Sequence, residues 1–141
     1  MRVLGIDFGE ARIGLAISDP AGRMALPMTT LHRRSDRDAI GQIGEIVAAE
    51  EVEFLVIGEP RNMDGSLGEA AIRVASFRKK LLDEIHLPCD VVDESLTSVE
   101  AIERLREAGV DPRRFPERVD AIAAQILLQQ YLDTTVERTD E

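Results

Sequence analysis

The chain has 141 residues, 44% of them hydrophobic and 31% charged, with a formal net charge of −10. That length suits one ordinary domain with a core of its own, and the balance of residue types excludes a disordered chain and a membrane-embedded one. The negative charge speaks against a protein that coats nucleic acid nonspecifically, because phosphate binding leaves a basic footprint; any phosphate contact has to come from local arginines.

Residues 2–8 and 12–18 are short β-type runs separated by Gly9-Glu10-Ala11, the pattern of a hairpin with a tight glycine turn. A third run from Met24 to Leu31 completes an antiparallel meander. Ser35 followed by Asp38 opens a helix as a variant capping box, with Ile40, Ile43 and Val47 at helical spacing. Phe54-Leu55-Val56-Ile57-Gly58 is apolar throughout, as a strand buried on both faces requires, and it stops at Glu59-Pro60; it is expected to be a central parallel strand. Ser66 with Glu69 forms a second capping box, starting a helix whose Val74, Phe77, Leu81 and Ile85 make one stripe. Pro88 ends that segment, and Cys89–Asp93 reads as another strand.

Thr97 with Glu100 is a third capping box, opening a helix through Val99, Ile102 and Leu105 that ends at Gly109. The last helix begins near Pro116 and carries Val119, Ile122, Ala123, Ile126, Leu127, Gln130 and Tyr131 on one face, while residues 136–141 read as an acidic, disordered tail. The order β-β-β-α-β-α-β-α-α predicts a single α/β domain over residues 1–135. Its five-stranded mixed sheet has the first three strands antiparallel and is flanked by helices.

Cys89 is the only cysteine, which rules out an internal disulfide and points to a reducing, cytoplasmic setting. The apolar run Val3–Ile6 begins almost at the initiator methionine and is broken by Asp7, so no signal peptide is expected. No apolar stretch approaches the roughly 20 residues of a membrane span, so no membrane partner is expected.

Three acids stand out. Asp7 sits in a run whose neighbours from Val3 to Phe8 are apolar or glycine; a carboxylate there is costly unless something offsets its desolvation, as a divalent cation does. Taken alone, it is equally explained as the start of the turn at Gly9. Glu94 follows a predicted strand, at the sheet edge where sites gather in open α/β folds, and it also fits a solvated loop. Asp120 is the only acid between Val119 and Tyr131; the favourable end of the helix dipole accounts for it, but its place beside the apolar stripe sets it at the rim of the core. Together the three supply the hard oxygen ligands that magnesium or manganese takes in phosphodiester hydrolysis. His32 and His86 are not at metal-ligand spacing and Cys89 lacks an evident base, so zinc chemistry and a thiol mechanism have no support.

Candidate nucleic-acid contacts are Arg12, Arg61, Asn62, Thr97, Arg113, Arg114 and Arg118. Arg61 and Asn62 lie in a loop leading into a helix, a plausible surface for phosphate, although Pro60 and Gly65 also suit an ordinary turn. Arg113, Arg114 and Arg118 stand just before Asp120 and could grip a backbone or simply be solvated. With aromatic residues at 4% and no tryptophan, stacking platforms for single strands are not expected.

The residues together resemble the YqgF/RuvX family, Holliday junction resolvase-like proteins also described as nucleases of the small-subunit ribosomal RNA precursor. The resemblance rests on Gly5-Ile6-Asp7-Phe8-Gly9-Glu10-Ala11-Arg12-Ile13-Gly14, Asn62-Met63-Asp64-Gly65-Ser66, Asp93-Glu94-Ser95-Leu96-Thr97-Ser98 and Val119-Asp120-Ala121-Ile122-Ala123-Ala124, in that order and nearly end to end. It implies an RNase H-like fold, a divalent cation, and a catalytic and metal-binding triad falling on Asp7, Glu94 and Asp120. It also implies a cytoplasmic role in 5′-end maturation of pre-16S rRNA, with the ribosome precursor as partner and branched DNA as the other candidate substrate. Two positions depart from the pattern: the family usually has Arg where this chain has Ser95, and Leu where it has Glu59. Monomer and homodimer both remain compatible.

Two readings of other classes compete. Asp7-Phe8-Gly9 followed by Gly14 also resembles the first phosphate loop of actin-like and sugar-kinase ATP-binding proteins, but those need two such domains around the nucleotide. A non-catalytic ribosome-assembly protein would fit the acidic charge.

Overall fold

The computed structural model describes residues 1–60, 68–93 and 97–139, leaving aside the side chains of 97–99, 116–117 and 135–139. Among these residues the elements run β1 (Val3–Phe8), β2 (Arg12–Ser18), β3 (Ala25–His32), α1 (Asp36–Ala49), β4 (Phe54–Glu59), α2 (Glu69–Glu84), β5 (Cys89–Asp93), α3 (Thr97–Glu107) and α4 (Phe115–Thr139), with one 3-10 turn at Pro112–Arg114. The five strands form one sheet in the order β3-β2-β1-β4-β5. β1 pairs antiparallel with β2 and β2 with β3, whereas β1 with β4 and β4 with β5 are parallel. The expected mixed sheet is present. β4 is the expected interior parallel strand, paired with β1 and β5 and buried along its middle, while β1 joins it to the antiparallel half of the sheet.

Alternation along the strands sorts side chains onto two faces. Leu4, Ile6, Ile13, Leu15, Leu55 and Ile57 face α1 and α2, where they pack with Ile43, Val74, Phe77 and Leu81. Phe8 extends that layer, stacking on Phe77 with ring centroids 4.5 Å apart. Val3, Ala16, Ala25 and Val56 face the other way, against Ala124, Leu127, Leu128 and Leu132 of α4. α4 carries a second apolar side, where Ala123 and Ile126 pack on Ala101, with Val119 and Ile122 alongside. The single stripe expected on this helix is therefore two, because α4 lies between the sheet and α3.

Helix ends follow local chemistry. The Ser35 side chain accepts a hydrogen bond from the Asp38 amide, capping α1 as expected. α2 is capped by Gly68 without a side-chain bond, so the predicted cap at Ser66 is corrected; Ser66 itself lies outside the described residues. α3 begins at Thr97, and Gly109, at φ +75°, terminates that segment. α4 continues to Thr139, through most of the stretch expected to be a disordered tail. Among the described residues no helix is long and apolar enough to cross a membrane.

Candidate active site

Asp7 stands near the carboxyl end of β1, opposite Gly14 of β2. Leu4, Ile6 and Phe8 face α1 and α2, so alternation sends Asp7, like Val3 and Gly5, to the α4 side of the sheet. Opposed residues of an antiparallel pair lie about 4.5–5.5 Å apart at Cα and project to the same face, so what lies over Gly14 also lies beside Asp7. That neighbour is the backbone of Asp120: a Cβ built on Gly14 would fall 1.9 Å from the Asp120 carbonyl oxygen. Gly5 makes the same kind of contact further along, its missing Cβ lying 2.9 Å from Leu128 Cβ. Two glycines on one face thus let α4 settle directly on the strands, bringing Asp120 to the end of β1 that carries Asp7.

The Asp120 carboxylate accepts a hydrogen bond from Arg12 Nε at 2.8 Å. Arg12, on β2, is on the same face as Gly14 and one alternation nearer the turn. With side chains 42% and 20% exposed, the pair contributes at most about 1 kcal/mol to stability, less than one buried leucine of α4 at about 1.5–3 kcal/mol. Apolar packing places the helix; the ion pair sets the local charge.

Of the predicted acids, the structure brings Asp7 and Asp120 together, while Glu94 lies outside the described residues. Among the described residues no three acidic, histidine or cysteine side chains form a metal-sized cluster. Two hard oxygen donors on a partly buried edge are a donor set that suits magnesium or manganese. Arg12 is at the site. Arg118 is on α4 two residues before Asp120, its side chain exposed. Arg113 pairs instead with Asp111, the cap of the 3-10 turn, and is 90% exposed; Arg114 lies in the same turn. Arg61, Asn62 and the Thr97 side chain lie outside the described residues.

Cys89 does not enter the site: it belongs to the layer facing α1 and α2, and burial pushes its thiol up to about 11. Sequence reasoning named Gly14 only within motifs, although its place inside a strand is the signal for close backbone approach, and weighed His32 only as a metal ligand, whereas it pairs with Arg12 across β2 and β3.

A family model described as RuvX, Holliday junction resolvase, matches residues 1–134. A protein of Chloroflexus aggregans is 43% identical over 131 residues, covering 93% of this chain and 92% of its own length. One of Moorella thermoacetica is 44% identical over 133 residues, covering 94% and 95%; both are named as candidate pre-16S rRNA nucleases. Among solved structures, RuvC of Thermus thermophilus superposes with a TM-score of 0.56 at 16% identity, covering 97% of each chain. The fowlpox virus resolvase bound to Holliday junction DNA also gives 0.56, at 11% identity over 96% of this chain and 99% of its own. At those identities the likeness is one of fold, the RNase H-like arrangement of RuvC-type resolvases. The match over residues 1–134, the identities above 40% and the shared fold place this chain in the RuvX family.

Proposed function

We propose that the chain is a divalent-metal-dependent nuclease that hydrolyses phosphodiester bonds in structured nucleic acid, with the 5′ end of precursor 16S rRNA as its substrate. The observation that carries this reading is the convergence of Asp7 and Asp120 across Gly14, from opposite ends of the chain onto one edge of the sheet. The names borne by relatives above 40% identity support nuclease activity and the ribosomal substrate.

In this reading Asp7, Asp120 and Glu94, the residue that follows β5, hold magnesium or manganese. When bound, the metal supplies activation of water and stabilisation of charge on the leaving oxygen. Arg12, hydrogen-bonded to Asp120, is placed to meet a phosphate beside the acids, its planar fork of donors suiting phosphate oxygens. The overall negative charge then repels nucleic acid except where such groups reverse it, so binding depends on the site rather than on a general basic surface.

The test is a manganese-dependent cleavage assay offering a precursor 16S rRNA fragment and a four-way DNA junction side by side, the second because the family description names that substrate. Asp7→Asn and Asp120→Asn should each lower the rate at least about a hundredfold, the loss expected when a group stabilising transition-state charge is removed, and should weaken manganese binding measured by calorimetry. Full activity in Asp120→Asn would refute the reading. Preferential cleavage of the junction would move the substrate from RNA to DNA.

A further inference from the structure

Next to the acid pair, edge strand β3 and the first half of α4 enclose an open groove of about 420 Å³. One wall is apolar, made by Pro27, Ala121 and Ile122, and the polar end carries Thr30, His32 and Arg118. Its far end is tied shut: Gln125 Nε2 donates to the Ala25 carbonyl at 3.1 Å, and the Ala25 amide donates to Gln129 Oε1 at 2.8 Å. The near end opens toward the acids, because His32 pairs in register with Arg12, which holds Asp120. Among the described residues no carboxylate lines this groove, although the chain carries a formal charge of −10.

A dead-ended space at the low end of the usual range for small-ligand sites, apolar on one wall and cationic at its mouth, has the chemistry of a single nucleotide. Resting on the nuclease reading, we propose that this groove seats one unstacked nucleotide adjoining the scissile phosphodiester, its base against Pro27, Ala121 and Ile122 and its phosphate toward Arg118 and Arg12. A paired base brings its partner with it and does not fit, so the seat selects strands already open at that position, as single-stranded ends and loops are. The apolar wall stands in for the aromatic platforms that the sequence lacks. An open nucleotide is also what an RNA leader and a DNA branch point have in common.

The experiment follows amide chemical shifts of the full-length, ¹⁵N-labelled chain in metal-free buffer as adenosine 5′-monophosphate or inorganic phosphate is added at millimolar concentration. The nucleotide should shift the amides of Thr30, His32, Ala121 and Ile122, while phosphate alone should affect only the arginine end. Ile122→Trp, which fills the groove, should abolish those shifts and lower kcat/KM on RNA about tenfold, the worth of one lost base contact. His32→Ala, an exposed position, should weaken nucleotide binding severalfold and serves as the second variant if Ile122→Trp does not fold. Shifts reproduced in full by phosphate, or absent from the groove, overturn the proposal. A groove that takes the nucleotide in a chain that cleaves neither substrate leaves the seat standing and removes the nuclease reading.

Discussion

Gly14 holds the position that decides whether Asp120 reaches the sheet. Any side chain there meets the Asp120 carbonyl at a distance no pair of atoms tolerates, so the start of α4 has to move. Gly14→Ala should destabilise the fold by about 1–3 kcal/mol, the usual cost of overpacking, read by urea denaturation. It should also reduce cleavage by more than that loss explains under conditions where the variant remains folded, because the displaced residue is Asp120 itself. Asp7 was legible in the sequence because a carboxylate within an apolar run is expensive, and Asp120 because it is the lone acid on an apolar segment. Gly14 was legible only as a letter of a motif, since nothing in local spacing says which backbone will lie over a strand. The lone cysteine is explained by packing: with its thiol pushed up to about 11 by burial, it stays protonated and unreactive at neutral pH.

The glutamines of α4 show how a helix can manage a sheet edge. β3 ends the sheet on one side, and its first residue, Ala25, has its amide and carbonyl satisfied by Gln129 and Gln125. Gln129 reaches on to the Arg23 carbonyl at 3.0 Å. Removing such a partner leaves a buried polar group without its bond, at about 1–3 kcal/mol. Gln129→Ala should therefore lower stability by that order, and amide exchange at Ala25 should rise more than at Leu4 in the centre of the sheet. The elements themselves were readable where periodicity and caps agreed, as in α1 with Ser35. They were misread where one helix serves two partners: α4 buries Leu127 and Leu128 toward the sheet and Ala123 and Ile126 toward α3, and a stripe count assumes a single buried face. The start of α2 was misplaced because a serine-glutamate pair at capping spacing is no proof of a cap when a glycine next to the helix can take that role.

At the scale of the molecule, Asp36 joins parts that the sheet does not connect. Its carboxylate takes hydrogen bonds from Arg33 at 2.8 Å and from Lys80 of α2 at 2.9 Å. Arg33 also donates to the Glu10 carbonyl in the β1–β2 turn and lies over the Phe8 ring, while Arg73 pairs with the Glu10 side chain. Burial pushes the Asp36 carboxyl up, but the bonds and charges of Lys80 and Arg33 outweigh it and hold the group below its ordinary 3.8. A lowered folded value means that its stabilisation is complete above the ordinary carboxylate value and disappears as pH falls through the lower one. Asp36→Asn should therefore melt below the wild type at neutral pH, with the gap in Tm closing as the buffer is taken below about 4.

The Arg12–Asp120 contact spans 108 positions of the chain. A polypeptide clipped before α4 contains the whole β-meander, Asp7 and Glu94 yet lacks Asp120. On the proposed reading such a fragment holds two of the three acids but loses the one that α4 delivers, and it should be inactive in the cleavage assay.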